Sequence, residues 1–115
     1  MKQIAIIFSI LFSFTTMNAQ SLAGVWNTGD ENTKIEITED DGIVKGKILS
    51  SDNAEAKIGN QILKDFKFNK GEWKGKLYAA KKGEWYDAVL KENGGQLDIT
   101  VKVGWMSKTV HWKKD

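Results

Sequence analysis

Hydrophobic and polar residues alternate along most of the chain after residue 20, with the period of two that a half-buried β-strand requires. The segment from Gln96 to Val103 shows it most clearly, because every second residue is apolar and the residues between them are mostly polar or charged. No apolar stripe of helical spacing competes with this pattern, and the chain contains no proline. The pattern therefore predicts an all-β domain.

Glycine-containing turn sequences divide the alternating region into eight predicted strands. The residues predicted to face inward are, strand by strand, Leu22, Gly24 and Trp26; Ile35 and Ile37; Val44, Gly46 and Ile48; Ile62, Phe66 and Phe68; Trp73, Gly75, Leu77 and Ala79; Tyr86, Ala88 and Leu90; Leu97, Ile99, Val101 and Val103; Val110 and Trp112. Lys64 is an exception within the fourth strand, and the long connection from Ser51 to Lys57 is a candidate for one helical turn.

Eight hairpin-linked strands with one apolar face each favour a small up-and-down antiparallel barrel, because closure removes exposed sheet edges. The run that begins at Gly24-Val25-Trp26 would then meet the run that ends at Val110-His111-Trp112. A β-sandwich is the alternative. An eight-stranded barrel is wide enough either to be filled by side chains or to hold one small ligand.

The first 19 residues read as a secretory signal peptide, followed by a single barrel domain over residues 20–115. Lys2 supplies the positive charge, Ile4 to Phe14 form an apolar run, and Thr15 to Ala19 precede the expected cleavage point. An apolar run of this length is too short to span a bilayer, which takes about 20 residues. We therefore expect export to the periplasm or the medium, with no transmembrane segment after cleavage.

The amino-acid composition argues against several classes of protein function. The chain has 17 cationic and 15 acidic side chains, every cation is lysine, and cysteine is absent. A nearly neutral chain without arginine is a poor candidate for nucleic-acid binding. Without cysteine there is neither a disulfide nor a thiolate metal site, and with one histidine there is no two-histidine metal site. We expect no cofactor and no metal.

The order of several motifs resembles a family of small exported bacterial proteins known as domain of unknown function 2147, similar to the calycin (lipocalin-like) barrels. The motifs run from residue 24 to 114: Gly24-Val25-Trp26, Gly46-Lys47-Ile48, Trp73 to Tyr78, Gly83, Tyr86 to Leu90, Leu97, Val101 and Trp112. This chain departs from the family pattern at Ala79-Ala80, where an Asp-Pro pair is expected, in the missing cysteine near Gly46, and in a lysine pair that replaces the terminal arginine.

The resemblance implies a barrel and an exported location, but it implies no activity. In calycin-like barrels the tryptophan of the Gly-x-Trp motif plugs one end, beneath a cation from the last strand. The corresponding residues here are Gly24, Trp26 and either Lys113 or Lys114. A cation–π contact of this kind contributes about 0.5–2 kcal/mol. We interpret these residues as a structural closure.

The sequence offers few of the side-chain combinations that a catalytic site needs. The alternation along the last strand predicts that His111 faces outward. Nothing in the sequence orients it toward Ser107, as a hydrolase would need. A glycosidase needs two carboxylates, and the sequence offers two candidate pairs, Glu84 with Asp87 and Glu72 with Glu84. The acidic stretch Glu39 to Asp41 lacks the spaced ligands of a calcium loop. We predict that the protein is not an enzyme.

Four aromatic residues are the candidate ligand-binding side chains: Trp85, Tyr86, Trp105 and Tyr78. The first hypothesis is a binding protein for a small apolar or amphipathic molecule, held in a modest cavity or at one mouth of the barrel. The second is a filled barrel that uses its outer face on an envelope protein or as an enzyme inhibitor. An unrecognised hydrolase is the third. A cavity continuous with the mouth favours the first, and a filled interior with Trp85 and Trp105 outside favours the second.

Overall fold

The structure, a computed structural model, describes residues 21–115 as a closed barrel of eight antiparallel strands in sequence order. The strands are β1 (Gly24–Asn27), β2 (Lys34–Asp40), β3 (Ile43–Ser50), β4 (Gln61–Asn69), β5 (Glu72–Ala79), β6 (Glu84–Asn93), β7 (Gln96–Val103) and β8 (Met106–Lys114). The predicted eight-stranded barrel is confirmed, and the sandwich alternative is wrong. The predicted signal peptide, residues 1–19, lies outside the described residues.

Tight turns connect four of the hairpins and fix their registers. Asp41-Gly42, Lys70-Gly71 and Gly94-Gly95 each place two consecutive residues at positive φ, as a type I′ turn requires. Gly104 has a φ of 64° and is followed by Trp105, which matches the type II′ pattern with glycine first. The strands on either side therefore pair without a loop, for example Val103 with Met106.

Side chains fill the interior of the barrel. Thirteen hydrophobic residues form one buried cluster, and among residues 21–115 no polar or charged side chain is buried. The cluster is Leu22, Trp26, Ile35, Ile37, Val44, Leu63, Phe66, Trp73, Ala88, Leu90, Leu97, Ile99 and Trp112. Ten of these side chains are almost completely buried, so each contributes about 1.5–3 kcal/mol through burial.

Strand β4 departs from the predicted alternation. A bulge at Asp65, which has a φ of 61°, places two residues opposite one on β5. Leu63 is therefore fully buried, Phe68 is 39% exposed at the strand end, and Ile62 is half-buried against the core. The prediction for β4 was wrong in placing Ile62 on the inner face in the position that Leu63 takes. It is confirmed for Phe66, which is buried, and for Phe68, which pairs with the buried Trp73. Lys64 is no exception, because it pairs with the outward Lys76.

The connection between β3 and β4 consists of turns and bends, so the predicted helical turn in it was wrong. Its backbone is held to the neighbouring β1–β2 loop by a hydrogen bond from the Asp52 amide to the Glu31 carbonyl, 2.9 Å. No helix within residues 21–115 has the length and hydropathy needed to cross a bilayer.

Strands β1 and β8 close the barrel through two register pairs, Trp26 with Lys114 and Asn27 with Lys113. The predicted meeting of the first and last strands is therefore observed. The barrel has two unlike ends. We call the end at the start of β1 and the end of β8 the sealed end, and the end that carries the loops 28–33, 51–60, 80–83 and 104–105 the open end.

Candidate functional site

The sealed end is closed by Trp26 beneath the last strand. Trp26 is fully buried, and its indole Nε1 donates a hydrogen bond of 2.9 Å to the carbonyl of Leu22. Lys114 Nζ lies 4.8 Å from the centroid of the Trp26 ring and donates to the carbonyl of Ala23 at 2.9 Å. The structure thus places Lys114 over this tryptophan, while Lys113 pairs with Asn27 and Gln96.

Glycine is required at position 24 by both its backbone and its neighbour. The residue has a φ of 135°, and a Cβ atom there would collide with Lys114 Nζ. The glycine of the Gly-x-Trp motif therefore leaves the space through which the lysine reaches the ring. This end of the barrel is a structural lid and offers no route into the interior.

Four inner-face side chains near the open end of β5, β6 and β7 are only partly buried. Leu77, Tyr86, Val101 and Val103 face inward by register, yet all four are only half-buried. We call these four residues the mouth. The deeper inner-face residues of the same strands, such as Ala88 and Ile99, are buried. Apolar surface is therefore presented to solvent at the mouth while the layer below it is filled.

Tyr86 adds a polar group to this apolar mouth. Its hydroxyl donates a hydrogen bond of 3.0 Å to Glu84 Oε2, two residues earlier on the same face of β6. That hydrogen bond to the carboxylate raises the pKa of Tyr86, and partial burial and the negative charge of Glu84 act in the same direction. A phenol held neutral beside a carboxylate gives the mouth a hydrogen-bonding edge.

Tyr78 and Trp85 lie on the outer face of the barrel, away from Tyr86. They are register partners on β5 and β6, with ring centroids 5.3 Å apart. Lys64 Nζ lies 4.2 Å from the Trp85 ring centroid and completes a stacked group. Trp85 is consequently half-buried, and this cation–π contact was missed because it depends on the β4 bulge.

The neighbouring row on the outer face holds an ion pair between Lys76 and Asp87, which are register partners. The hydrogen bond from Lys76 lowers the pKa of Asp87, and the positive charges of Lys76 and Lys102 act in the same direction. This face of β5 and β6 is therefore organised by its own side chains. The charged groups of Lys76 and Asp87 are already paired with each other.

Trp105 stands apart from the other aromatic residues. It occupies the turn between β7 and β8 and is 92% exposed, and the adjacent Met106 is 55% exposed. The structure thus divides the four candidate aromatic residues among three places: Tyr86 at the mouth, Tyr78 and Trp85 on the outer wall, and Trp105 at a hairpin tip.

His111 pairs with Asp98 on the outer face of the β7–β8 hairpin. His111 Nδ1 lies 2.7 Å from Asp98 Oδ1, and Gln96 Nε2 donates to the same carboxylate at 2.8 Å. The hydrogen bond from Gln96 lowers the pKa of Asp98, with His111 the next contribution. Sequence reasoning missed this pair, although the two-residue turn at Gly104-Trp105 determines the register that makes Asp98 and His111 neighbours.

We expect the change Gln96→Leu to raise the pKa of Asp98 toward its ordinary value of 3.8, because it removes the hydrogen bond that contributes most to the lowering. A pH titration of the Asp98 side-chain ¹³C resonance measures this directly. A lowered folded-state pKa stabilises the fold above the unfolded value and loses that contribution as pH falls through the folded value. Acid sensitivity of the folded state below pH 3.8 should therefore diminish in Asp98→Asn. An unchanged Asp98 midpoint in Gln96→Leu would contradict the assignment.

The formal catalytic pairs are separated in the structure. Ser107 and His111 are four residues apart on one strand, about 13 Å, so they cannot share a hydrogen bond. Glu84 and Asp87 differ by an odd number of positions on β6 and fall on opposite faces. Glu72 lies at the sealed end and Glu84 at the open end, about 20 Å apart.

Two depressions in the described surface lie outside the mouth. One, of about 380 Å³, runs over the outer face of β2 and β3 beside residues 59–61 and is lined by Glu36, Thr38, Lys45 and Lys47 among others. The second, of about 430 Å³, lies beside the β1–β2 loop and includes His111 and Lys113 in its lining. Both are bordered by charged side chains, and neither enters the barrel.

A family model described as "Uncharacterized protein conserved in bacteria (DUF2147)" matches residues 24–114. No curated protein and no solved structure matches the chain. The matched range begins at the glycine of the sealed end and includes all eight strands.

Proposed function

The chain belongs to the uncharacterised bacterial family DUF2147, and from the geometry of its barrel we propose that it is an exported, non-enzymatic protein that binds a small apolar or amphipathic molecule at its mouth. The observation that carries the proposal is the unequal burial of the inner face. The sealed end is closed by Trp26 and Lys114, while the mouth leaves apolar side chains partly exposed.

The interior is filled and Trp85 and Trp105 lie outside it, which is the arrangement set out above for the second hypothesis. The proposal therefore keeps only one form of the first hypothesis, in which the ligand binds at the rim of the mouth and not in a cavity.

Binding at the mouth is shallow in this proposal. The residues directly below it, Ala88, Leu90 and Ile99, are packed into the buried cluster, so a ligand cannot descend into the interior as it does in a lipocalin calyx. A ligand's apolar part would cover Leu77, Val101 and Val103 and remove their exposed surface from water. Its polar part would remain near Tyr86 and Glu84, whose hydroxyl and carboxylate lie at the rim.

The non-enzymatic character is part of the proposal and is supported by the separation of the polar groups. Within residues 21–115 the only histidine is already paired with Asp98 on an exposed outer face, on the other side of the barrel wall from the mouth. Ser107 and the acidic pairs considered from the sequence are too far apart or face opposite ways.

The test uses laurate at monomeric concentrations as the probe, followed by ¹H–¹⁵N NMR. We expect chemical-shift changes at Leu77, Tyr86, Val101 and Val103. The change Tyr86→Ser should weaken binding by about tenfold, since an aromatic side chain that becomes buried contributes on the order of 1–2 kcal/mol.

Tyr78→Ser is the matched control, because Tyr78 is the same residue type, is also half-buried, and lies on the neighbouring strand with the opposite orientation. It should leave laurate affinity unchanged. Shifts confined to the outer wall around Tyr78 and Trp85, or no shifts at all up to the solubility limit of laurate, would overturn the proposal.

A further inference from the structure

The tip of the β7–β8 hairpin presents an unusual combination of apolar exposure and positive charge. Trp105 is 92% exposed and Met106 55% exposed, so neither is part of the core or of the stacked group on the outer wall. An indole left in water at the centre of a tight turn gains nothing for the fold. It would gain free energy if an apolar phase covered it.

Lysines flank this tip at a regular distance. Lys102 and Lys108 are exposed and each lies three residues from Trp105, which is about 10 Å along a strand. Lys81 and Lys82 are exposed in the β5–β6 turn at the same end of the barrel. Two carboxylates, Glu84 and Asp87, lie on this side, and both already have partners, in Tyr86 and Lys76.

Charge is divided unequally across the open end. The loops on the opposite side, residues 28–33 and 51–60, carry Asp30, Glu31, Asp52 and Glu55, all exposed, with Lys57 as their one lysine. A negatively charged surface would therefore attract the β5–β8 side and repel the β1–β4 side. This asymmetry favours one docking orientation, with the hairpin tip directed at the surface.

The geometry points to docking of the hairpin tip on the interface of a membrane that contains anionic lipids. Trp105 and Met106 insert to the depth of the acyl boundary, about 5–10 Å, which matches the spacing between the tip and its flanking lysines. Lys102 and Lys108 then lie at the level of the lipid phosphates, and Lys81 and Lys82 add longer-range attraction. A convex tip, exposed on both faces, fits a soft planar surface better than the pocket of a protein partner.

The two surfaces adjoin, because Met106 and Lys108 are the register partners of the mouth residues Val103 and Val101. Trp105 and Lys102 lie outside the mouth, so the Trp105→Ser variant tests the membrane inference separately from ligand binding. Laurate binding at the mouth and membrane docking at the tip can each fail while the other holds. Both surfaces lie at the open end, so a docked barrel would hold its mouth near the bilayer.

The experiment measures co-sedimentation of the protein, residues 20–115, with vesicles of phosphatidylglycerol and phosphatidylcholine at low salt. We expect binding to vesicles with half phosphatidylglycerol and little binding to pure phosphatidylcholine. Trp105→Ser should lower the partition coefficient by about tenfold, since it removes the inserted ring. Lys102→Gln with Lys108→Gln should lower it by on the order of tenfold and reduce its salt dependence.

Two matched controls separate docking by the tip from general adhesion. Ile58→Ser removes another exposed apolar side chain, 59% exposed, but on the acidic side of the open end, and it should leave partitioning unchanged. Lys45→Gln with Lys74→Gln removes the same charge from exposed positions on β3 and β5 and should have a much smaller effect than the pair at the tip.

Three results would overturn the inference. One is the absence of vesicle binding by the unaltered protein. The second is binding that Trp105→Ser does not weaken, which would indicate diffuse electrostatic adhesion. The third is a Trp105-dependent dimer in sedimentation equilibrium without vesicles, which would identify a second copy as the occupant of the tip.

Discussion

Replacing Trp26 with alanine is expected to lower the free energy of unfolding by about 3–5 kcal/mol, the range for a large aromatic side chain removed from a core. The residue is fully buried, and it also holds the Leu22 carbonyl through Nε1 and supports Lys114 above its ring. The truncation therefore leaves a cavity at the sealed end and frees two polar groups from their contacts. Urea unfolding followed by far-UV circular dichroism measures the change.

Trp85→Ala is the control for this experiment, because Trp85 has a similar stacked cation but is half-buried on the outer wall. It should cost about 1 kcal/mol, the centre of the distribution for point mutations in general, because the ring is partly buried and stacks on Tyr78 and Lys64. Trp26→Phe separates the contributions further: it keeps most of the volume and loses the hydrogen bond to Leu22, worth about 1 kcal/mol. Equal losses for Trp26→Ala and Trp85→Ala would show that the sealed end does not depend on its tryptophan.

Gly75→Ala is expected to destabilise the barrel by about 3 kcal/mol, at the upper end of the usual cost of overpacking. A Cβ atom at Gly75 would lie 2.6 Å from Phe66 Cγ, 2.7 Å from the Lys64 carbonyl oxygen and 2.8 Å from Phe66 Cα. Two of these atoms are backbone, so a rotamer change cannot relieve the contact and strand β4 must move. Gly75 is the single residue opposite the bulge, which explains why the wall is so close there.

Gly46→Ala is the matched comparison, since Gly46 also lies on the inner face of a strand with an ordinary strand φ. A Cβ there would meet Leu63 Cδ1 at 2.9 Å and Ile35 Cγ2 at 3.3 Å, both of them ends of side chains that can rotate. Its cost should be about 1 kcal/mol, measured by the same urea unfolding. A loss at Gly46 as large as the loss at Gly75 would contradict the role assigned to the bulge.

The aromatic residues show where prediction from the sequence reached its limit. Parity along the strands correctly predicted that Trp26, Trp73 and Trp112 face inward and that Trp85 does not. The alternation along β6 could not show which side chain covers Trp85. That contact comes from Lys64, on a strand whose alternation is shifted by the bulge. Nor could the alternation show that Tyr86 and Trp85, adjacent in sequence, serve two separate surfaces.

The turn sequences predict how strands pair within a hairpin. They do not predict how the first strand pairs with the last. The turn at Gly104-Trp105 determines every pair from Val103 with Met106 back to Asp98 with His111. No turn connects β1 to β8, so the pairing of Trp26 with Lys114 depends on how far the whole sheet curves before it closes. The choice between Lys113 and Lys114 as the cation over Trp26 was for this reason open until the barrel was seen.

The alternation of apolar and polar residues, with glycines at the turns, by itself determined an all-β chain of eight strands and most of its inner face, because side-chain direction in a strand is a local property of the backbone. Only the tertiary structure decided the bulge at Asp65, the choice of Lys114 as the cation over Trp26, the partly exposed mouth and the isolation of Trp105 at the tip. Each of these depends on distances between strands far apart in sequence, which no local pattern specifies.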